Sequence, residues 1–250
     1  MIFRPVSAFQ HCAVLLGVSL ALPAAAEPLR VVADEWPPFS GAALPGGGIS
    51  LDVISTVLER AGYEVAPEVL PWARIMDGAQ RGDYDIVGSL FLDADIQTYM
   101  TYSEPFYNTD VRFVRKTGSD AVYSDLAGLE AYSIAVGDGF LYEPAFDRSE
   151  RLNKVVVTTT MQGLQMVAHG RVDMTLDSLD VLRHSIQSSG DELAGMLEIL
   201  PGVLTTHGVH MAVHNDVPGK DEIVADFNRV LAEMRTDGSL SALLRQHVGP

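Results

Sequence analysis

The chain has 250 residues, of which 47 % are hydrophobic and 20 % are charged, and its formal net charge is −16. This composition excludes a disordered chain, a collagen and a coiled coil. Acidic residues outnumber basic residues by 33 to 17. That balance argues against nucleic acid as a partner, because phosphate binding requires clustered Lys and Arg.

The first 26 residues have the pattern of a secretory signal peptide. Arg4 precedes an apolar stretch at 13–22, and small residues follow up to Ala26. The stretch is shorter than the roughly 20 residues that a membrane anchor needs. We therefore predict that 1–26 is removed and that the protein is exported to the periplasm. The removed segment contains the single cysteine, Cys12, so the mature chain has neither disulfides nor cysteine-based metal or thiol chemistry.

Short β-type runs alternate with helical periodicity along the remaining chain. Ser50 is the predicted N-cap of the first helix. Alternating strands and helices predict an α/β fold in which helices flank mainly parallel sheets. The predicted strands are 29–33, 64–69, 86–90, 111–115, 133–136 and 155–158. The predicted helices begin at or near Ser50, Trp72, Leu141, Met161, Asp221 and Ser239.

One pattern occurs twice, at 80–87 and at 168–175. In each case a helical run is followed by a glycine, two further residues, an aspartate and a strand. The two glycines, Gly82 and Gly170, lie 88 residues apart. That distance is too long for a solenoid repeat, and it indicates two similar α/β lobes.

Several segments together resemble the family 3 extracellular solute-binding proteins, which are typified by periplasmic binders of polar amino acids. The resemblance covers nearly all of 29–249, and it depends on the order and spacing of the segments. It implies a type II periplasmic-binding-protein fold with two lobes joined by two crossings. The segments are Leu29–Phe39, Asp52–Ile54, Gly82–Ile86, Tyr102–Tyr107, Gly170–Asp173 and Leu231–Gly238.

The same resemblance implies domain boundaries and a function. Lobe 1 is expected at 27–107 plus 207–250, and lobe 2 at 111–204. A monomer of this kind captures a small polar ligand, such as an amino acid, between the lobes and delivers it to an inner-membrane ABC permease, without a cofactor. One alternative is an enzyme on the same scaffold that is similar to cyclohexadienyl dehydratase, with Glu35 as the nearest general acid. The other alternative is a sensory module for a membrane receptor.

Ligands of parallel sheets bind outside the carboxyl ends of the strands. The predicted loops there contain the only two tryptophans, Trp36 and Trp72, which can cover the apolar face of a ligand or a cation. Asp34 and Glu35 are candidates to bind a cationic group, and Asp34 could instead cap a turn. The complete set of predicted ligand contacts is Asp34, Glu35, Trp36, Trp72, Arg74, Ser89, Phe91, Gly139, Phe140, Asp177 and Ser178.

This sequence departs from the amino-acid binders at the charged positions. The place of the family's carboxylate-binding Arg is Ile96, and the place of its ammonium-binding acid is Ser178, with Asp177 one position early. Phe91 and Phe140 replace small polar residues. The departures disfavour a zwitterionic α-amino acid, because buried ammonium and carboxylate groups both need partners.

Two other features have alternative interpretations. Arg74 follows Trp72 at a helix start, where a positive charge is unfavourable, and it is either an anion-binding group or half of a surface ion pair. His207, His210 and His214 have metal-like spacing. The intervening Val and Gly favour a strand, in which the side chains are too far apart to share a metal, and we predict no metal site.

Overall fold

The structure is a computed structural model that describes residues 27–248. The predicted signal peptide, 1–26, lies outside the described residues. The strands are β1 (Leu29–Ala33), β2 (Val65–Val69), β3 (Ile86–Leu90), β4 (Met100–Tyr102), β5 (Tyr107–Lys116), β6 (Ser133–Gly137), β7 (Asn153–Val157), β8 (Met174–Ser178) and β9 (Leu197–His214). The helices are α1 (Ile49–Arg60), α2 (Trp72–Arg81), α3 (Pro144–Arg148), α4 (Thr160–Ala168), α5 (Leu179–Ser188), α6 (Asp191–Gly195), α7 (Lys220–Thr236) and α8 (Ser239–Val248).

Two helix starts differ from their predictions. The prediction that Ser50 caps α1 was wrong, because the helix begins at Ile49 after a cap at Gly48. Ser50 is buried in the first turn, and its hydroxyl has no hydrogen-bond partner among the described residues. Helix α3 begins at Pro144 rather than Leu141. The Glu143 carboxylate caps it by accepting two backbone N–H groups of the first turn at 2.8 and 2.9 Å, and proline is well suited to the first helical position.

The strands form a continuous sheet in the order β2-β1-β3-β9-β5-β8-β6-β7, with β4 paired to β9. Strand β1 is parallel to β2 and β3, and β6 is parallel to β7 and β8. Parallel pairing is thus confirmed for three strands in each half of the sheet. Strands β5 and β9 run antiparallel to each other and to their outer neighbours, β8 and β3.

The two halves of the sheet are connected through the long pair formed by β5 and β9. At the Tyr107 end of this ladder, Asn108 lies opposite Gly208 and Asp110 lies opposite Thr206. The Asp110 carboxylate accepts hydrogen bonds from Arg112 and Thr206, each at 2.8 Å. The two chain crossings therefore lie side by side in one ladder.

Buried apolar side chains form a main core on each side of these crossings, and Val181 of α5 joins the core around α1 and α7. One side is centred on α1 and α7, where Ile54 and Phe227 are fully buried. The other side is centred on Phe113 and Phe146, which are also fully buried. Burying each side chain of this kind contributes about 1.5–3 kcal/mol, so each half has its own source of stability.

The repeated pattern has the same structural role in both halves. Gly82 and Gly170 follow α2 and α4 with left-handed φ angles of 76° and 65°. Asp85 then accepts the backbone N–H of Arg30 in β1 at 2.7 Å. Asp173 accepts the backbone N–H of Ser133 in β6 at 2.8 Å. Each aspartate thereby ties the start of one parallel strand to its neighbour.

Candidate functional site

A cavity of about 360 Å³ lies between the two halves of the sheet. It opens at the carboxyl ends of β1, β3, β6 and β8, and the N-terminal turn of α2 also contributes. Its volume is within the range of about 300–1,000 Å³ that is typical of small-molecule sites. Each half of the sheet supplies part of the wall.

Aromatic rings cover much of the cavity wall. Trp36 stacks on Phe39 with ring centroids 4.5 Å apart, and Phe91 packs edge-on against Trp36 at 5.4 Å. Phe91 also stacks on His207, with ring centroids 4.4 Å apart. The aromatic lining residues are Trp36, Trp72, Phe91, Tyr99, Phe140 and Tyr142. Together these rings make the cavity suited to a ligand with an apolar body.

Asp34 and Asp177 approach the cavity from opposite halves. Asp34 is partly buried directly after β1, and its burial raises the pKa of the carboxyl group to about 6. Asp177 is 3 % exposed at the end of β8. Burial raises its pKa to about 6, although hydrogen bonds from the Thr160 hydroxyl and the Ser178 N–H favour the charged form. The negative charge of Asp34 contributes to this increase.

Two more acids and an isoleucine form the wall after β3. The Asp93 carboxylate accepts the backbone N–H groups of Asp95 and Ile96 at 2.7 and 2.9 Å, which fixes a short 3-10 turn. Ile96 is 8 % exposed and lines the cavity. Among residues 27–248, no Lys, Arg or His lines this cavity.

Small residues shape the strand ends. Ser89 has a φ of 59°, which is unusual for a residue other than glycine, and the β3–β9 register shifts between Val87 and Leu90. The Ser89 hydroxyl donates to the Ser40 hydroxyl at 3.1 Å. The Ser178 hydroxyl is engaged with Thr109 at 2.5 Å. Gly139 has a φ of 70° in the turn that brings Phe140 to the cavity.

Two predicted contacts lie outside the cavity wall. The exposed Glu35 uses its carboxylate to accept the backbone N–H of Ala42 at 2.8 Å. Arg74 is exposed on α2. Residues two positions apart are rotated by about 200° around the helix axis, so their side chains lie on nearly opposite faces. Arg74 therefore does not share the face of Trp72. Neither Glu35 nor Arg74 lines this cavity.

The structure brings the other nine predicted residues to one cavity: Asp34, Trp36, Trp72, Ser89, Phe91, Gly139, Phe140, Asp177 and Ser178. The lining residues outside the predicted set are Met76, Leu90, Asp93, Asp95, Ile96, Tyr99, Val111, Leu141 and Tyr142. Met76 could have been found from helical spacing, since it lies four residues after Trp72. Tyr142 had no local signal, because its hydroxyl accepts the Gly137 N–H at 2.8 Å through a turn that only the fold creates.

The three histidines lie on β9, as the strand interpretation predicts. His207 Nε2 contacts the Tyr142 carbonyl at 2.5 Å, and His210 Nδ1 contacts the Ser103 carbonyl at 2.8 Å. Within residues 27–248, no group of three or more His, Cys, Asp or Glu side chains is placed to hold a metal ion. In the same part of the chain, none of the helices is both long and apolar enough to span a membrane.

Comparison with known proteins gives relatives in sequence and in structure. The L-cystine-binding protein TcyA of Bacillus subtilis (strain 168) is 25 % identical over 206 residues, which cover 81 % of this chain and 72 % of the relative. A histidine kinase sensor domain with similarity to periplasmic binding proteins superimposes with a TM-score of 0.76 at 18 % identity, covering 89 % of this chain and 96 % of that chain. An ancestral arginine-binding protein bound to arginine has a TM-score of 0.73 at 20 % identity. The match covers 89 % of this chain and 98 % of that chain.

The two structural similarities confirm the two-lobed periplasmic-binding-protein fold. Residues 29–250 match the bacterial extracellular solute-binding proteins, family 3. This match spans the strands, both crossings and every lining residue of the cavity. The chain therefore belongs to the bacterial extracellular solute-binding proteins, family 3.

Proposed function

We propose that this protein is a periplasmic, monomeric solute-binding protein that closes on a small ligand and delivers it to an inner-membrane ABC permease. In this proposal 1–26 is a signal peptide, lobe 1 comprises 27–107 and 207–250, and lobe 2 comprises 111–204. The two crossings in β5 and β9 act as the hinge. The cystine-binding relative and the family membership support a transport role.

The observation that supports this proposal most directly is a cavity with walls from both halves of the molecule. A ligand that touches both walls binds the closed state more tightly than the open state, and it therefore shifts the population toward closure. The proposed contacts from lobe 1 are Asp34, Trp36, Trp72, Ser89 and Phe91. The proposed contacts from lobe 2 are Gly139, Phe140, Asp177 and Ser178.

A thermal-shift screen of the mature protein tests ligand binding. A ligand at 100 times its Kd stabilises the folded state by about 2.7 kcal/mol, which gives a clear increase in Tm. We expect Trp72→Ala to abolish the increase, because it removes a ring from the cavity wall. Leu92→Ala is the matched control, since Leu92 is 57 % exposed and does not line the cavity.

Circular dichroism of both variants must show the wild-type fold for the comparison to be valid. A wild-type Tm increase in Trp72→Ala would place the ligand elsewhere and contradict the proposed site. The screen includes amino acids, organic acids and amines, so that the result does not depend on a single assumed ligand class.

A sensory role is the second candidate, because a histidine kinase sensor domain is among the structural neighbours. The two roles share the cavity and the hinge, and they differ in the membrane protein that receives the closed form. Reconstituted permease whose ATP hydrolysis increases when the liganded protein is added would support transport. Activation of a receptor kinase without any effect on the permease would support sensing.

We also propose that the protein is not an enzyme. The only general acid suggested by the sequence, Glu35, is exposed outside the cavity and bonded to Ala42. Mass spectrometry of a bound ligand after long incubation with the protein tests this proposal. Recovery of an unchanged ligand is expected, whereas a product with a lower mass would indicate dehydratase chemistry.

A further inference from the structure

We infer that the cavity selects a small organic ammonium ion that has an apolar body and no carboxylate, held between Asp34 and Asp177. This inference rests on the proposed function and specifies its ligand class. The resemblance to binders of polar amino acids indicates a zwitterion instead. The two ligand classes differ in one group, the α-carboxylate, and can therefore be compared directly.

The charges on the cavity wall all have the same sign. Within residues 27–248 its charged side chains are Asp34, Asp93, Asp95 and Asp177. Arg112 lies opposite Asp177 in the β5–β8 ladder, but it does not line the cavity, and it donates to Asp110 at 2.8 Å. A wall of this kind attracts cations and repels anions, and a low-dielectric cleft strengthens both effects.

No cationic side chain of residues 27–248 lines the cavity, although the hydrogen bonds to Asp177 favour its carboxylate anion. The Thr160 hydroxyl and the Ser178 N–H both donate to it, and donors of this kind stabilise the charged form. The Trp36 indole lies close enough to lower the pKa of Asp177. Trp36 is 9 % exposed, and its Nε1 is buried without a hydrogen-bond partner among the described residues.

Burial opposes these donors and raises the pKa of Asp177 to about 6. The missing component is therefore a positive charge that lies within the cavity. An ammonium group between Asp177 and Asp34 would supply that charge to both carboxylates. Its N–H groups would also donate to their remaining lone pairs, which a neutral ligand cannot do as strongly.

The aromatic walls suit the remainder of such a ligand. Trp36 and Phe91 meet edge to face, with Trp72 on the same half of the cavity and Phe140 on the other half. Aromatic faces attract organic cations and cover apolar groups without requiring hydrogen bonds from them. An alkyl or aryl amine therefore matches both the charge and the surface of the cavity.

The part of the chain that the structure describes, 27–248, offers a ligand carboxylate no positive partner on the cavity wall. Ile96 lines the wall at the position where the resemblance places an arginine, and an apolar side chain cannot pair with an anion. The neighbouring Asp93 already accepts two backbone N–H groups. Burying a carboxylate among other carboxylates, without a counter-charge, carries a large free-energy penalty.

The direct test is isothermal titration calorimetry with compounds that differ only in their charged groups. Phenethylamine, phenylalanine and 3-phenylpropanoate form one set, and isoamylamine, leucine and 4-methylpentanoate form the second. We expect the amine of at least one set to bind at least tenfold more tightly than its amino acid, and the acids not to bind. Equal or tighter binding of the amino acids, or no binding of either amine, would overturn the inference.

Two charge-removing variants connect the result to the cavity. Asp177→Asn and Asp34→Asn each retain an acceptor oxygen and should weaken amine binding at least tenfold. Asp216→Asn is the matched control, because Asp216 has a side chain that is 92 % exposed and lies outside the cavity. An amine Kd that stays within twofold of the wild-type value in both cavity variants would contradict the inference.

The same compounds distinguish this inference from the proposed function. If phenylalanine or leucine binds and closes the lobes while the amines do not, the solute-binding function stands and the ammonium class is wrong. If the amines bind but Trp72→Ala leaves their affinity unchanged, the cavity is not the binding site and both proposals fail.

Discussion

The clearest residue-scale consequence concerns Asp177 in the unliganded protein. Its pKa is about 6 in the folded state and 3.8 in the reference state. Because the folded state holds the proton more tightly, protonation of Asp177 contributes to the free energy of unfolding. This contribution is fully present below pH 3.8 and is lost as the pH rises through 6. The difference between the two pKa values corresponds to about 3 kcal/mol of unfolding free energy at most.

Asp177→Asn should therefore make the unliganded protein more stable at pH 8, by about 1–3 kcal/mol, with little change at pH 4. Asparagine keeps an oxygen for the Ser178 N–H, its amide NH2 can donate to the Thr160 hydroxyl, and it has no charge to desolvate. Urea unfolding of both proteins at the two pH values measures the difference. Parallel pH dependence of wild type and variant would show that Asp177 is not the responsible group.

Much of the site could be predicted from local sequence, because position after a strand determines which residues reach the sheet edge. Trp36 and Trp72 were found in this way. Asp177 and Ser178 both reach the cavity, although adjacent strand residues normally face opposite sides, because β8 ends at Ser178. Val111 could not be found, since its place in the wall depends on a strand from the centre of the sheet.

At the scale of elements, α4 holds Thr160 next to Asp177 and packs closely on β8. A methyl group added at Gly163 would lie 2.6 Å from the Thr175 hydroxyl oxygen, and Thr175 is itself buried. We expect Gly163→Ala to destabilise the protein by about 1–3 kcal/mol, even though alanine favours helices. The displacement of α4 should also weaken ligand binding through Thr160.

Gly195→Ala, in α6, is the matched control for the Gly163→Ala substitution in α4. Gly195 is exposed at the end of α6, and nothing lies within 4 Å of an added methyl group. Alanine there should stabilise the protein by about 0.5–1 kcal/mol, because it restricts the unfolded chain. Urea unfolding gives both values, and the same sign for both substitutions would contradict this interpretation of the packing.

The alternation of strands and helices was predictable because each element has its own periodicity and its own end signals. The antiparallel pairing of β5 and β9 was not, because it joins residues about 100 positions apart, such as Tyr107 and Val209. Hydrophobic pattern alone does not select a strand's partner at such distance. Helices α5 and α6 lie between Leu179 and Gly195, where no helix was predicted.

For the whole molecule, the central question is whether the two halves move relative to each other. Each half has a main core of its own, and the paired crossings at 107–116 and 197–214 connect the two halves. Bending at a few residues of this ladder would change the width of the cavity. Hinge closure of this kind is common in binding proteins.

Small-angle X-ray scattering tests this motion. A compact domain of this size has a radius of gyration of about 17 Å, and two open lobes should exceed it. We expect a ligand that raises the Tm to reduce the radius while the forward scattering stays at the mass of one chain. Trp72→Ala should show no reduction, because it lacks the contact that makes closure favourable. A radius that is unchanged by a ligand with a clear Tm increase would mean that the cavity binds without closing, and the hinge at β5 and β9 would then have no role in capture.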